Sequence, residues 1–194
     1  MDFSPLFPLS SRKMASKTSG LQRKLAHRLY LATMRFEGMG WLALRRALLR
    51  AMSGRGQGTI NIFANVAIDG AEGLTVGNSV SFNRDCNISA AGGLTIGDHV
   101  SIGHGTTILT VEHAFADPDV PIQLQPIEYQ SVMIGNNVWI GARVIILAGI
   151  SLAPGTIVGA GAVVTKAVEE PNCTIAGNPA QIIKRRGNPA EAVG

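Results

Sequence analysis

Cysteine is scarce in this chain: Cys86 and Cys173 are its two thiols, too few for a disulfide scaffold. Aromatic side chains make up 5% of the residues, which argues against a core filled by rings. The opening Met-Asp-Phe-Ser-Pro has no charged start followed by an apolar run, so no signal peptide is expected and the cytoplasm is the default compartment. No stretch approaches the ~20 apolar residues that a membrane-spanning helix requires. Acid is nearly missing from residues 1–56, where Asp2 and Glu37 face eleven Lys/Arg, a net +9. The remainder sets six Lys/Arg against eleven Asp/Glu, a net −5, so the basic character belongs to the first segment and not to the body. No nucleic-acid partner is expected.

What the chain does have is a six-residue beat. Val76, Phe82 and Ile88 mark it first, then Ile96, Ile102 and Ile108, then Ile134, Ile140, Ile146, Leu152, Val158 and Val164. A small residue often follows, as in Ile96-Gly97, Ile140-Gly141 and Val158-Gly159. Four residues on sits a second small or β-branched side chain: Val80, Val100, Thr106, Val138, Val144, Thr156, Ala162. Neither the 3.6 period of a helix nor a period of two produces this pattern. A fixed short period marks stacked repeats, and the hexapeptide is the repeat of a parallel β-helix. Each hexad is expected to give one short strand and a tight corner, with the large apolar residue pointing inward. Cys86 falls four after Phe82, an inward slot, and reads as a small buried thiol.

Around this core the chain divides into a basic amphipathic helical extension (1–56), the β-helix (57–170) and a C-terminal tail (171–194). Residues 1–19 lack periodicity. In the extension Leu21, Leu25, Leu29, Ala32 and Phe36 line one helical face; after Gly38 and Gly40 a second stretch sets Trp41, Leu44, Leu48 and Met52 against Arg45, Arg46 and Arg50. Ser53-Gly-Arg-Gly-Gln-Gly58 reads as the boundary. The helical pair has two readings: a cap on the open strand edge of the first coil or against a neighbouring subunit, or a peripheral membrane contact through residues 20–52 on the inner face. Spacing stretches to eight at Ile68→Val76 and Ile88→Ile96, where Ala71-Glu-Gly and Ala90-Ala-Gly-Gly suit corner bulges. Between Ile108 and Ile134 lies a longer break holding Pro121 and Pro126, which predicts a protruding loop at about 109–131, a usual place for function on a rigid repeat scaffold.

Three motifs carry a family resemblance: Ile134-Gly-Asn-Asn-Val-Trp-Ile-Gly141, Gly159-Ala-Gly-Ala-Val-Val-Thr-Lys166, and Ala176-Gly-Asn-Pro-Ala180 with the basic run Lys184-Arg185-Arg186. Over roughly residues 60–186 the chain resembles the hexapeptide-repeat acyltransferases, most of all the maltose and galactoside O-acetyltransferase branch. The resemblance implies a left-handed coil, an exception to the usual crossover hand. It also implies a homotrimer with sites between protomers, and acetyl-CoA as acyl donor with no metal. His113 matches the branch's catalytic histidine, and imidazole, with a reference pKa near ~6.5, suits the deprotonation of a hydroxyl at cytoplasmic pH. Asn87 matches its active-site asparagine, which would hold the acceptor hydroxyl or the oxyanion. Trp139 matches a Trp flanking the acyl and acceptor site. Gly141, Ala142 and Ala160 would meet the pantetheine arm, Thr165 and Lys166 the adenosine end, and Arg185 a phosphate. The branch has an acidic pair shortly after the asparagine, where this chain has Ala90-Ala91-Gly92-Gly93; Glu112, Asp117 and Asp119 are the nearby carboxylates.

Each residue also has a plainer reading. His113 would be a solvated loop histidine, Asn87 a corner asparagine satisfying backbone groups, and Trp139 corner packing or a subunit contact. His99 and His104 fall outside the inward positions and read as corner residues. The leading expectation is an O-acetyltransferase acting on a saccharide hydroxyl, in a cell-surface polysaccharide or a lipid-linked precursor. The alternatives are N-acetylation of an amino sugar or antibiotic, a γ-type carbonic anhydrase using zinc on histidines five apart like His99 and His104, and a catalytically silent structural coil.

Overall fold

The structure, a computed structural model, describes residues 19–53 and 58–187. The proposed boundary at Gly54–Gln57 therefore lies outside the described residues. The hexads wind into a left-handed parallel β-helix of about six turns. On its first face Ile62, Phe82, Ile102, Ile140, Val158 and Ile175 stack in register. Ile68, Ile88, Ile108, Ile146 and Val164 stack on the second, and Val76, Ile96, Ile134 and Leu152 on the third. All of these are buried, as are the intervening Val80, Val100, Val138, Val144 and Ala162, so the beat read from sequence is the inward stripe of the prism. Cys86 is buried too, its Sγ 3.2 Å from the Gly103 carbonyl.

Corners make the coil possible. Ser79, His99, Asn137, Gly155 and Asn172 all turn from the third face to the first with φ between 55° and 77°, the left-handed region. Asn, Asp and Gly tolerate that region best, which is why they recur there. Along this edge the Asp98 carboxylate accepts from Asn78 N at 2.6 Å, and the Asn136 amide oxygen accepts from Asp98 N at 2.8 Å. Each corner thus ties down its neighbour. Past Val164 the hexads end but the stacking does not: Val168 bridges Leu152, and Cys173–Gly177 pairs in parallel with Ile157–Val158 before turning back through a hairpin to Ala180–Arg185.

Two helices, α1 (Gly20–Thr33) and α2 (Met39–Ser53), cover the start of the coil. A capping box begins α1, with Ser19 and Gln22 each satisfying the other's backbone N–H. The face it buries is Ala26, Tyr30 and Thr33, and the Tyr30 hydroxyl donates to the Val66 carbonyl at 2.7 Å. Burial pushes the Tyr30 pKa up, against the pull of the nearby Arg45 charge.

On α2 three arginines meet alternate carbonyls of the first strand. Arg45 Nε donates to Ile62 O at 2.8 Å, Arg46 Nε to Ile60 O at 2.6 Å, and Arg50 Nη2 to Gly58 O at 3.3 Å. These carbonyls form the open edge of the coil, which would otherwise lack partners. The helices therefore cap the first coil, and three arginines of the basic segment serve that contact. The structure departs from the sequence expectation at one residue and decides an orientation it left open. Arg45, expected on the polar side, is 1% exposed, and its Nη1 also donates to Thr33 O and Phe36 O. The Leu21, Leu25, Leu29 face, for which the sequence left a cap and a membrane contact open, is turned to solvent.

Candidate active site

The long insertion leaves the second face after Thr107–Ile108 and is ordered as an antiparallel arm. Val111–His113 pairs with Ile127–Tyr129, placing His113 opposite Ile127. Gln130 N donates to Thr110 O at 3.0 Å and closes the base. The buried Thr110 hydroxyl accepts from Gly92 N at 3.0 Å and donates to Ser89 O at 3.1 Å, locking the arm to the Ala90-Ala-Gly-Gly corner. A side chain at Gly92 would strike the Thr110 carbonyl, so that corner needs its glycine. Glu112 accepts from Ala148 N at 3.3 Å, which ties it to the next rung rather than to His113. Near the tip the Gln125 amide donates to Asp117 O and Val120 O, both at 2.8 Å. Asp117 in turn accepts from Asp119 N at 2.9 Å.

The histidine itself is exposed. Asn87 is exposed on the second face, from which the arm departs, directly in register with Thr107 one rung on. Trp139 stands on the first face between Ser101 and Ile157 and is 58% exposed. The corner after it carries Gly141 and Ala142, packed against Ala160 of the next rung so closely that a Cβ on Gly141 would meet the Ala160 backbone. Thr165 and Lys166, both exposed, follow Val163–Val164 at the opposite edge of the second face. The candidates on the coil and arm thus fall into three groups: Asn87 on the second face with His113 on the arm that leaves it, Trp139, Gly141, Ala142 and Ala160 around the edge shared with the first, and Thr165 and Lys166 at the opposite edge. Cavities of about 790, 180 and 160 Å³ lie between the helices and the coil, and no candidate residue lines any of the three.

A polyanionic donor needs cations, and the tail supplies them unequally. Arg185 is held by Glu170 at 2.6 and 3.1 Å, and this hydrogen-bonded guanidinium holds the Glu170 carboxyl below its ordinary range. Arg186 donates to Gly155 O at 2.9 Å. Lys166 is exposed and Lys184 half-buried opposite Thr174, on the rungs beside Ala160. Glycine corners that admit a close backbone approach and lysines on the same rungs suit coenzyme A. His99 and His104 are exposed, His99 at a left-handed corner with φ 58°, and among the described residues no three His, Cys, Asp or Glu cluster as a metal site. Thr110, Gln125 and Glu170 were not singled out from the sequence. Only Gln125 carried a signal, lying between two prolines.

Fold and site together define a class, the left-handed β-helix transferases built from hexapeptide repeats. The family model described as bacterial transferase hexapeptide (six repeats) matches residues 131–166. A maltose O-acetyltransferase from Clostridium difficile 630 superposes with a TM-score of 0.73 at 30% identity, covering 85% of this chain and 86% of that one. A hexapeptide-repeat acetyltransferase from Vibrio cholerae O1 biovar eltor, solved with acetyl coenzyme A, gives 0.75 at 25% identity over 87% and 88% of the two chains. The Escherichia coli K12 protein WbbJ, named for O-acetyl transfer in lipopolysaccharide biosynthesis, is 32% identical over 67% of this chain. The chain spans 62% of WbbJ's length. It belongs to the hexapeptide-repeat acetyltransferase family.

Proposed function

We propose that the protein transfers acetyl from acetyl-CoA to a saccharide hydroxyl, in a cell-surface polysaccharide or a lipid-linked precursor met at the inner face of the membrane. The observation that carries this reading is the arm. It leaves the face that bears Asn87 and holds one exposed histidine, His113, fixed in the ladder opposite Ile127. Acetyl-CoA supplies an activated acetyl group and a thiol leaving group. His113 takes the hydroxyl proton as the acceptor oxygen bonds to the acetyl carbon, and the proton then goes to the departing sulfur. Asn87 holds the acceptor oxygen or the developing oxyanion. Trp139, Gly141, Ala142 and Ala160 hold the acyl end of the donor, and Thr165, Lys166 and Arg185 the nucleotide end, with Arg185 leaving Glu170 to do so.

The assembly is a homotrimer, with each site shared between protomers. Two facts support it: the candidate residues lie open on two faces of one protomer, and the arm exposes Phe115 and Leu124 at 72% and 70%. The likeness to maltose O-acetyltransferase and WbbJ supports the saccharide class. His113→Ala tests the mechanism. It lowers kcat by about 10²–10⁴-fold, the usual contribution of a general base, and leaves the assembly's mass unchanged by light scattering. Near-normal turnover of the variant overturns the assignment.

A further inference from the structure

We propose that the outward ridge of α1 docks on an anionic lipid bilayer. Leu21, Leu25 and Leu29 are 78%, 58% and 50% exposed, and their four-residue spacing puts them on one helical face. The ridge continues through exposed Ala32 to Phe36, 49% exposed and stacked on Trp41 at 4.5 Å, and to Met39, 81% exposed in the first turn of α2. It is not a stripe awaiting the coil. The coil-facing side of α1 is already occupied by Ala26, Tyr30 and Thr33, and rolling the ridge inward would break the Tyr30–Val66 hydrogen bond.

Charge selects the occupant. Lys24 and Arg28 are exposed one helical turn apart on one flank of the ridge, Arg35 is exposed just past the end of α1, and α1 contains no acidic residue. A leucine ridge edged by cations fits an interface where acyl chains take the apolar part and phosphates the charge, with Lys and Arg stems lying along the boundary. A second copy fits poorly, because a two-fold contact through this face would set each cation row against its twin. The docking surface is read from α1 and the turn into α2 alone. Its use, bringing the site to a lipid-linked acceptor, rests on the acetyl-transfer reading.

Flotation of the full chain with phosphatidylcholine vesicles, with and without phosphatidylglycerol, tests the surface. The protein is expected to float with the anionic vesicles and stay behind with the neutral ones. Replacing the exposed leucines together (Leu21→Ser, Leu25→Ser, Leu29→Ser) lowers the bound fraction at least about tenfold, and Lys24→Glu with Arg28→Glu removes the preference for anionic lipid. Flotation unaffected by the serine changes overturns the proposal. So does a parent chain that never floats, including one whose mass by light scattering falls in the serine variant, which would assign the ridge to a contact between copies. Calorimetric binding of acetyl-CoA is unchanged in the serine variant. A parent that floats but binds no acetyl-CoA sinks the transferase reading and leaves the docking surface standing.

Discussion

Arg45 shows how much one side chain contributes here. Its guanidinium joins three segments: the first strand at Ile62, the last residue of α1 at Thr33, and the inter-helix turn at Phe36. Burial lowers its pKa, with the neighbouring Tyr30 and Glu37 acting in the opposite direction. A methionine of similar length would fill the space but leave the Ile62 and Phe36 carbonyls without a donor, while Thr33 O would keep the Phe36 N–H. At roughly 1–3 kcal/mol for each stranded acceptor, Arg45→Met should destabilise the chain by about 2 kcal/mol or more, read as a lowered urea midpoint. Arg46→Met, at a half-buried site with one carbonyl partner and Asn61, should cost about 1 kcal/mol. Equal losses in the two variants would mean that Arg45 works through its aliphatic stem and not its hydrogen bonds. His113 is the contrasting case. It is exposed, so replacing it should change chemistry and leave stability alone.

Among elements, the arm is separable from the coil. Ile108 and Ile134 stack against Ile146 and Ile96 as if nothing lay between them. Deleting residues 111–130 joins Thr110 to Ser131 and restores a single hexad from Ile108 to Ile134. The deleted chain should keep its β-sheet circular dichroism and a melting temperature within a few degrees of the parent, while losing acetyl transfer. A variant that cannot fold would show that the Thr110–Gly92 lock depends on the arm. This separability explains what the sequence disclosed. The coil was legible because every rung repeats one demand, a large apolar residue inward and a small one at the corner. Ile134 to Val164 states that demand six times. The helices were half legible: their existence followed from periodicity, but not which face they bury. Periodicity grouped Leu21, Leu25 and Leu29 on one face of α1 without saying what it meets; the coil end offered carbonyls, and hydrogen bonding by Tyr30 and Arg45 decided the orientation. His113 and Asn87 were singled out through motif likeness. The ties around them, Thr110 to Gly92 and Glu112 to Ala148, join residues far apart in sequence and left no local signal.

At the scale of the whole molecule, the uneven charge and the open strand edge belong to one arrangement. The first segment carries a net +9 and the body a net −5. Part of that positive charge, on Arg45, Arg46 and Arg50, is spent on the edge carbonyls of Ile62, Ile60 and Gly58. Removing residues 1–57 would expose this edge together with the apolar end of the core at Ile60, Val66 and Leu74. A bare parallel edge is a template for another strand, so the truncated chain should associate end to end. Its bodies each bear net −5 and repel one another. Screening falls to about 8 Å at physiological ionic strength and shortens further with salt, so the association should strengthen as salt is added. Light scattering of the truncated chain across a salt series checks this: apparent mass rises with both concentration and salt, while the full chain holds a constant mass. A truncated chain with the same steady mass as the parent would show that the arginine contacts are dispensable, and that the end of the coil is protected by its own short, twisted strands.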